Sequence, residues 1–289
     1  MERLLDEIVA RRPKLSKGQK KIADYILKSY EQAAFMTANK LGETVGVSES
    51  TVVRFAAVMG RAGYPELQSE LQELIRNKLT TVQRAQMTSG MQLSEVIHSV
   101  MTKDIQDIRA TMETVDYLQY EAAIDALLNA RRIYVLGLRS AMPMAQFLSY
   151  YLDYVCDGVM FINGAVQDLR ERMVRINEKD VLIGISFPRY SARTVDAMRY
   201  ARSRGAKVIA LTDREDSPAG KIADYCLCAK SDMASFADSF VAPLSLINAL
   251  IVGMGLSRKD EAEKHLQQLE DVWGFEGVYL DTFGGDEAE

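Results

Sequence analysis

From Arg132 onward the sequence alternates between short apolar runs rich in β-branched residues and longer stretches with helical spacing. The runs are RIYVLG, VMFI, DVLIGISF, AKVIALTD and YCLCA, and patterns such as TVDAMRYARSR separate them. A strand that is apolar at consecutive positions, rather than at every second one, must be covered on both faces. Strands of that kind alternating with helices specify a parallel sheet between two helical layers. The back of the chain is therefore expected to be a five-stranded parallel sheet in a three-layer α/β/α arrangement.

The front has a different periodicity. Up to about Asn77 the spacing is helical throughout. Leu4, Leu5, Ile8 and Val9 form one amphipathic segment, and Ser16 is placed to cap a second that holds Ile22, Ala23, Ile26 and Leu27. Thr37 and Ser48 are placed to cap a third and a fourth, and Pro65 to open a fifth. Residues 78–93 are polar and weakly periodic and read as a linker. A chain of 289 residues comfortably holds two domains. The expected division is an all-α domain over 1–77, the linker over 78–93, an α/β domain with leading helices over 94–275, and an acidic tail over 276–289.

Charge follows the same division. The whole chain carries a net −5, but residues 1–85 hold 14 Lys/Arg against 10 Asp/Glu, so the remainder is strongly acidic. A basic front on an acidic back suits a nucleic-acid reader fused to a domain of another kind. The longest apolar stretch, around residues 241–255, is broken by Pro243, Ser245 and Asn248 and reads as a buried helix; no membrane partner is expected. The N-terminal residues are charged and lack a signal core, so a cytoplasmic location is expected. Cys226 and Cys228 alternate on a strand, a spacing unusual for zinc or redox chemistry. With Cys156 they read as small buried apolar residues in a reducing compartment. His98 and His265 fall on helical surface segments. No metal site, cofactor or catalytic residue is expected.

The segment ANKLGETVGVSESTVVRFAAVM fits a helix-turn-helix position by position. Gly42 is the small residue where the helices cross and Gly46 supplies the turn, while Leu41, Val45, Val47, Val52 and Phe55 lock the pair. The second helix begins at Ser48 and would present Glu49, Ser50, Thr51, Val53 and Arg54 to the major groove. Ser48, Ser50, Thr51 and Arg54 are candidates for base or phosphate contact, while Glu49 either accepts from a cytosine amino group or favours the helix N-terminus. Lys17, Lys20, Lys21, Lys40, Arg61 and Tyr64 are candidates for phosphate contact.

Two loops of the α/β half carry the possible ligand chemistry. Gly137, Arg139 and Ser140 follow the first strand; Ser186, Arg189, Ser191 and Thr194 follow the third, with Arg193 beside them. Loops that leave the carboxyl ends of parallel strands and open helices offer free N–H groups to anions.

These residues carry a resemblance. The segments LSKGQKKIADYIL, TVVRFAAVMGRAGYPELQSEL and DVLIGISFPRYSARTVDAMRYARSRGAKVIALTD are similar to the RpiR/MurR family of bacterial transcription regulators. The resemblance implies a helix-turn-helix domain ahead of a SIS (sugar isomerase) domain that binds phosphosugars or related acids. A typical SIS motif reads Ser-x-Ser-Gly-x-Thr. Here Pro188 stands at the middle serine and Arg189 at the glycine. In the first motif Ala141 falls where a serine is common. Fewer hydroxyls and two added arginines imply a carboxylate or a sugar acid phosphate as the anionic effector.

The function expected is operator binding controlled by that effector, through a homodimer or homotetramer on an inverted repeat of double-stranded DNA. The alternatives are a phosphosugar isomerase or a metabolite binder that does not bind DNA. Isomerisation needs a positioned base, and neither loop contains Asp, Glu or His. Asp168, Glu171 and Asp196 fall on helices, while Glu178 and Asp180 precede a strand. The dimer surfaces expected are the last helix and the helix bearing Val96, Ile97, Val100, Met101, Ile105, Ile108 and Met112.

Overall fold

The computed structural model describes residues 3–75, 80–86, 92–164, 168–232 and 237–280. The chain divides into two compact units, Met1–Met91 and Gln92–Glu289.

The first unit is helical. It comprises α1 (Arg3–Arg11), α2 (Lys17–Ala33), α3 (Ala38–Val45), α4 (Glu49–Val58), α5 (Tyr64–Ile75) and a short α6 (Thr81–Gln86). Local chemistry sets the helix starts. Ser16 and Gln19 form a reciprocal capping box at α2, and the Thr37 hydroxyl accepts from Lys40 N at α3. Ile8, Ile22, Ile26, Leu41, Val52, Phe55, Met59, Leu67, Leu71 and Ile75 are buried together, one face from each of the first five helices. Helix α6 lies within the stretch expected to be linker. The rest of that stretch, 78–79 and 87–91, falls outside the described residues, apart from 80 and 92–93.

The second unit begins with α7 (Leu93–Thr114) and α8 (Tyr117–Leu128). The alternating part follows: β1 (Arg132–Gly137), α9 (Met142–Leu152), β2 (Val159–Ile162), α10 (Leu169–Arg172), β3 (Asp180–Ile185), α11 (Ala192–Ser203), β4 (Lys207–Thr212) and β5 (Tyr225–Cys228). Helices α12 (Val241–Ser257) and α13 (Lys259–Glu276) close it. All four strand pairings are parallel, in the order β2-β1-β3-β4-β5. Alternate side chains feed two cores. Ile133, Val135, Ile183, Ile185, Ile209 and Leu211 pack toward α8, α9 and α12, whereas Tyr134, Leu136, Leu182 and Val208 pack toward α10 and α11. This is the three-layer sheet read from the five runs. Strand order reverses between β1 and β3, whose register brings Gly137 opposite Ile185. Their carboxyl ends therefore flank the switch point, where open sheets of this kind hold ligands.

The charged segment after the apolar helix, where His265 is expected on a helical surface, is the 18-residue α13; part of the expected tail, 281–289, lies outside the described residues. The apolar face of α7 does not turn inward within this chain. Its buried residues are Asp107 and Thr111, which accept from Asp232 N and Lys230 N, while Ile97, Met101, Ile105 and Met112 stay exposed. Among the described residues no single helix is long and apolar enough to cross a membrane.

Candidate nucleic-acid interface and ligand site

Helices α3 and α4 meet at a close approach only glycine allows. A Cβ on Gly42 would lie 2.8 Å from the Val47 carbonyl oxygen. Gly46 ends α3 in the left-handed region (φ 70°), where a side chain is strained. Leu41, Val52 and Phe55 are buried and Val45 and Val47 half-buried, so the five locking positions all face the partner helix or its turn. Helix α4 is left with an open face of Glu49, Ser50, Val53, Arg54 and Ala57, with Val53 43% exposed. Arg54 Nε donates to the Ser50 carbonyl, so its guanidinium lies along that face.

Ser48 sits at the cap position, but its hydroxyl does not take a helix N–H. It bonds the hydroxyls of Ser50 (3.0 Å) and Thr51 (2.9 Å), leaving three exchangeable hydroxyls at the tip of the helix. Thr51 is only half-exposed because the start of α2 approaches it at Gly18. The same approach puts Lys17 and Lys21, both exposed, beside the tip of α4. Lys40 is exposed in a loose pair with Glu43.

Arg61 and Tyr64 do not belong to this surface. Arg61 is 13% exposed and spans Glu7 of α1 (2.7 Å) and both carboxylate oxygens of Glu70 on α5 (2.9 and 2.7 Å). Those two partners hold its guanidinium pKa above the usual arginine value. Tyr64 is buried and donates to the Met36 carbonyl at 2.7 Å; burial pushes its pKa up to about 12. Both are internal ties, because a cation and a phenol with such satisfied partners have nothing left for a phosphate. Sequence spacing gives no sign of this, as Glu7 lies 54 residues from Arg61.

In the second unit the two loops stand side by side. Gly137 is again a forced glycine, since a Cβ there would meet the Ala141 carbonyl at 2.6 Å and the Ala145 methyl at 2.9 Å. Arg139 and Arg189, one in each loop, are the two non-glycine residues with positive φ among the described residues (56° and 66°). Each costs roughly 1 kcal/mol relative to an ordinary conformation, and such strain gathers at functional sites. Both arginines and Ser140 are exposed. Ser191 caps α11 by accepting from Thr194 N. Ser186 and Thr194 are buried, and their hydroxyl oxygens have no hydrogen-bond partner. Arg193 reaches over from α11: a Cβ on Gly164, just past β2, would lie 3.7 Å from its guanidinium and 3.8 Å from Leu138. Arg139, Ser140, Ser186, Arg189 and Thr194 are thus gathered around the switch point.

Tyr190 donates to Asp213 at 2.8 Å, and Thr212 shares that carboxylate. Sequence reasoning did not single out Asp213, because one acid after a strand carries no local signal. The other carboxylates have structural partners. Asp168 and Glu171 make the capping box of α10, Asp196 pairs with Arg199, and Asp180 is buried against Arg131 at the opposite end of β3.

A helix-turn-helix unit and a doubly wound α/β unit with paired loops at its switch point define a class of two-part proteins, a DNA reader with a small-molecule sensor. Residues 2–78 match the helix-turn-helix domain of the rpiR family, and residues 126–253 match the SIS domain. The chain belongs to the rpiR family of helix-turn-helix transcription regulators and carries a SIS domain.

It is 25% identical over 282 residues to the HTH-type transcriptional regulator HexR of Pseudomonas aeruginosa, covering 94% of this chain and 95% of that one. A Haemophilus influenzae protein described as an uncharacterized HTH-type transcriptional regulator is 28% identical, over 78% of each chain. Among solved structures, the sugar isomerase domain of an RpiR transcription factor from Sphaerobacter thermophilus is 26% identical with a TM-score of 0.59, covering 61% of this chain and 99% of that one. The Vibrio vulnificus NanR protein, solved with ManNAc-6P, shares the fold at 20% identity and a TM-score of 0.57, over 93% and 97% of the two chains.

Proposed function

We propose that the open face of α4 enters the major groove, with Glu49, Ser50, Val53 and Arg54 toward base edges and Ser48, Thr51, Lys17, Lys21 and Lys40 toward the backbone. We further propose that the two switch-point loops bind an anionic sugar derivative. The observation that carries the second part is the pair of buried, unpartnered hydroxyls of Ser186, just past β3, and Thr194, in the first turn of α11. A buried hydroxyl without a partner costs about 1–3 kcal/mol. An acceptor placed among these hydroxyls and the N–H groups of α11 would recover that cost, as a phosphate does. Arg139 and Arg189 then suit a second anionic group, which favours a sugar acid phosphate over a neutral hexose phosphate. The NanR neighbour's ManNAc-6P is a phosphosugar held by a protein of this architecture.

The chain acts as a sensor rather than an isomerase. Neither loop supplies a carboxylate or imidazole, and the Asp213 carboxylate, which touches the second loop, already accepts from Tyr190 and Thr212. Two copies pair through the exposed apolar face of α7, since one small reading head selects a site poorly. Calorimetry with phosphogluconate, which carries both anionic groups, and a salt titration of binding to DNA upstream of the gene test the reading. Phosphogluconate binding that is unchanged in Arg189→Ala would refute the role of that arginine.

A further inference from the structure

Cys226 and Cys228, expected as small buried apolar residues, are not fully buried. Both are half-exposed, free, and in contact at 3.6 Å between sulfurs. They line a cavity of about 250 Å³ with Asp116, Asp213, Arg214, Glu215 and Lys230. We propose that this pair is a site of reversible thiol oxidation, closed to an intrachain disulfide by hydrogen peroxide.

The sulfurs lie within hydrogen-bond reach of each other, and either thiol can donate. Donation from Cys226, aided by Lys230, draws the Cys228 thiol below its usual pKa, while burial, Glu215 and Asp213 oppose. With its partner sulfur 3.6 Å away and Lys230 lining the same cavity, Cys228 is taken as the attacking thiolate. Its sulfur displaces hydroxide from the peroxide, so that the O–O bond breaks and a sulfenic acid forms; the hydroxide takes a proton and leaves as water. The Cys226 sulfur then attacks the Cys228 sulfur, the S–O bond breaks, and the second hydroxide leaves as water with the Cys226 proton. Two thiols and one peroxide give one disulfide and two waters.

Closure brings the sulfurs from 3.6 Å to about 2.05 Å. Strand β5 is at the sheet edge and has β4 as its one strand neighbour, so it can buckle to allow this. A bridge between residues two apart on a strand is strained, and strained disulfides are readily reduced. The site also reaches the sensing loop: Asp213 lines the thiol cavity and accepts from Tyr190, next to Arg189. This coupling rests on the ligand reading of that loop, whereas the thiol chemistry does not.

The test uses the full-length protein, reduced and then exposed to peroxide, alkylated with iodoacetamide and digested. We expect the peptide bearing Cys226 and Cys228 to be unalkylated and two hydrogens lighter, with Cys156 still alkylated and the change reversed by dithiothreitol. Cys226→Ser should give no bridge and a sulfenic acid that dimedone traps on Cys228. Full alkylation of both thiols after peroxide, or bridges to Cys156 or to another chain, would overturn the site. Phosphogluconate affinity should change roughly fivefold or more on oxidation, and Tyr190→Phe should abolish that change. Equal affinity in both states would sink the coupling alone. No binding by the reduced protein would refute the ligand reading and the coupling together, with the mass measurement still deciding the thiol site.

Discussion

Thr194 is completely buried in the first turn of α11, yet its hydroxyl oxygen meets no donor or acceptor. Valine has nearly the same shape and removes only that unsatisfied oxygen. Thr194→Val should therefore raise the unfolding free energy by about 1 kcal/mol while lowering phosphogluconate affinity about tenfold, as read by denaturant melts and calorimetry. A destabilised variant with intact affinity would mean that the hydroxyl serves the fold. Arg189 makes a similar trade through its backbone. Arg189→Gly relieves a left-handed arginine and should stabilise by up to about 1 kcal/mol, again at the expense of ligand affinity. The hydroxyls and arginines of both loops could be read from the sequence, since strand-to-helix junctions are local patterns. Their strain and lack of partners could not, because these depend on φ and on neighbours distant in sequence.

Periodicity made most elements legible. The five strands came from consecutive apolar runs and the helix pair from its glycines and locking residues. At α13 it placed His265 on a helical surface but not the helix's bounds, because KDEAEKHLQQLEDVW carries too few apolar residues to mark a face. At α7 it found the apolar stripe but not its direction. The inward side is polar because Lys103, Asp104, Asp107 and Thr111 tie the helix to Lys230, Asp232 and Ser239 through ion pairs and hydrogen bonds. The reading unit shows the same limit, since Arg61 belongs to the scaffold that holds α4, not to its open face. Two variants separate these roles. Lys21→Ala, at an exposed lysine assigned to the backbone, should leave stability unchanged within about 0.5 kcal/mol and reduce the salt dependence of operator affinity by about one counterion. Arg61→Ala leaves Glu70 without its cation and Glu7 with Arg11, and should cost about 1–2 kcal/mol of stability. At temperatures where it is folded, its salt slope should match the parent's. A reduced slope in Arg61→Ala would return that residue to the phosphate surface.

At the scale of the whole molecule, much of the apolar face of α7 is left exposed among the described residues. Ile97, Met101, Ile105 and Met112 are half or more exposed along one side, with Tyr117 and Leu118 of α8 continuing the patch. In the proposed reading a second copy covers this face, because a two-fold pair would present two α4 helices to an inverted repeat. The half-sites would then lie about 34 Å apart or a multiple of it. Charge on that face should separate the copies without disturbing either fold, because the buried side of α7 is the polar one. Met101→Glu with Ile105→Glu should thus sediment as a monomer with an unchanged unfolding midpoint. It should keep phosphogluconate affinity but lose at least about a hundredfold in affinity for a full operator, while binding an isolated half-site as weakly as the parent does. A double variant that remains dimeric, or a monomer that holds the full operator as tightly as the parent, would move the pairing surface away from α7.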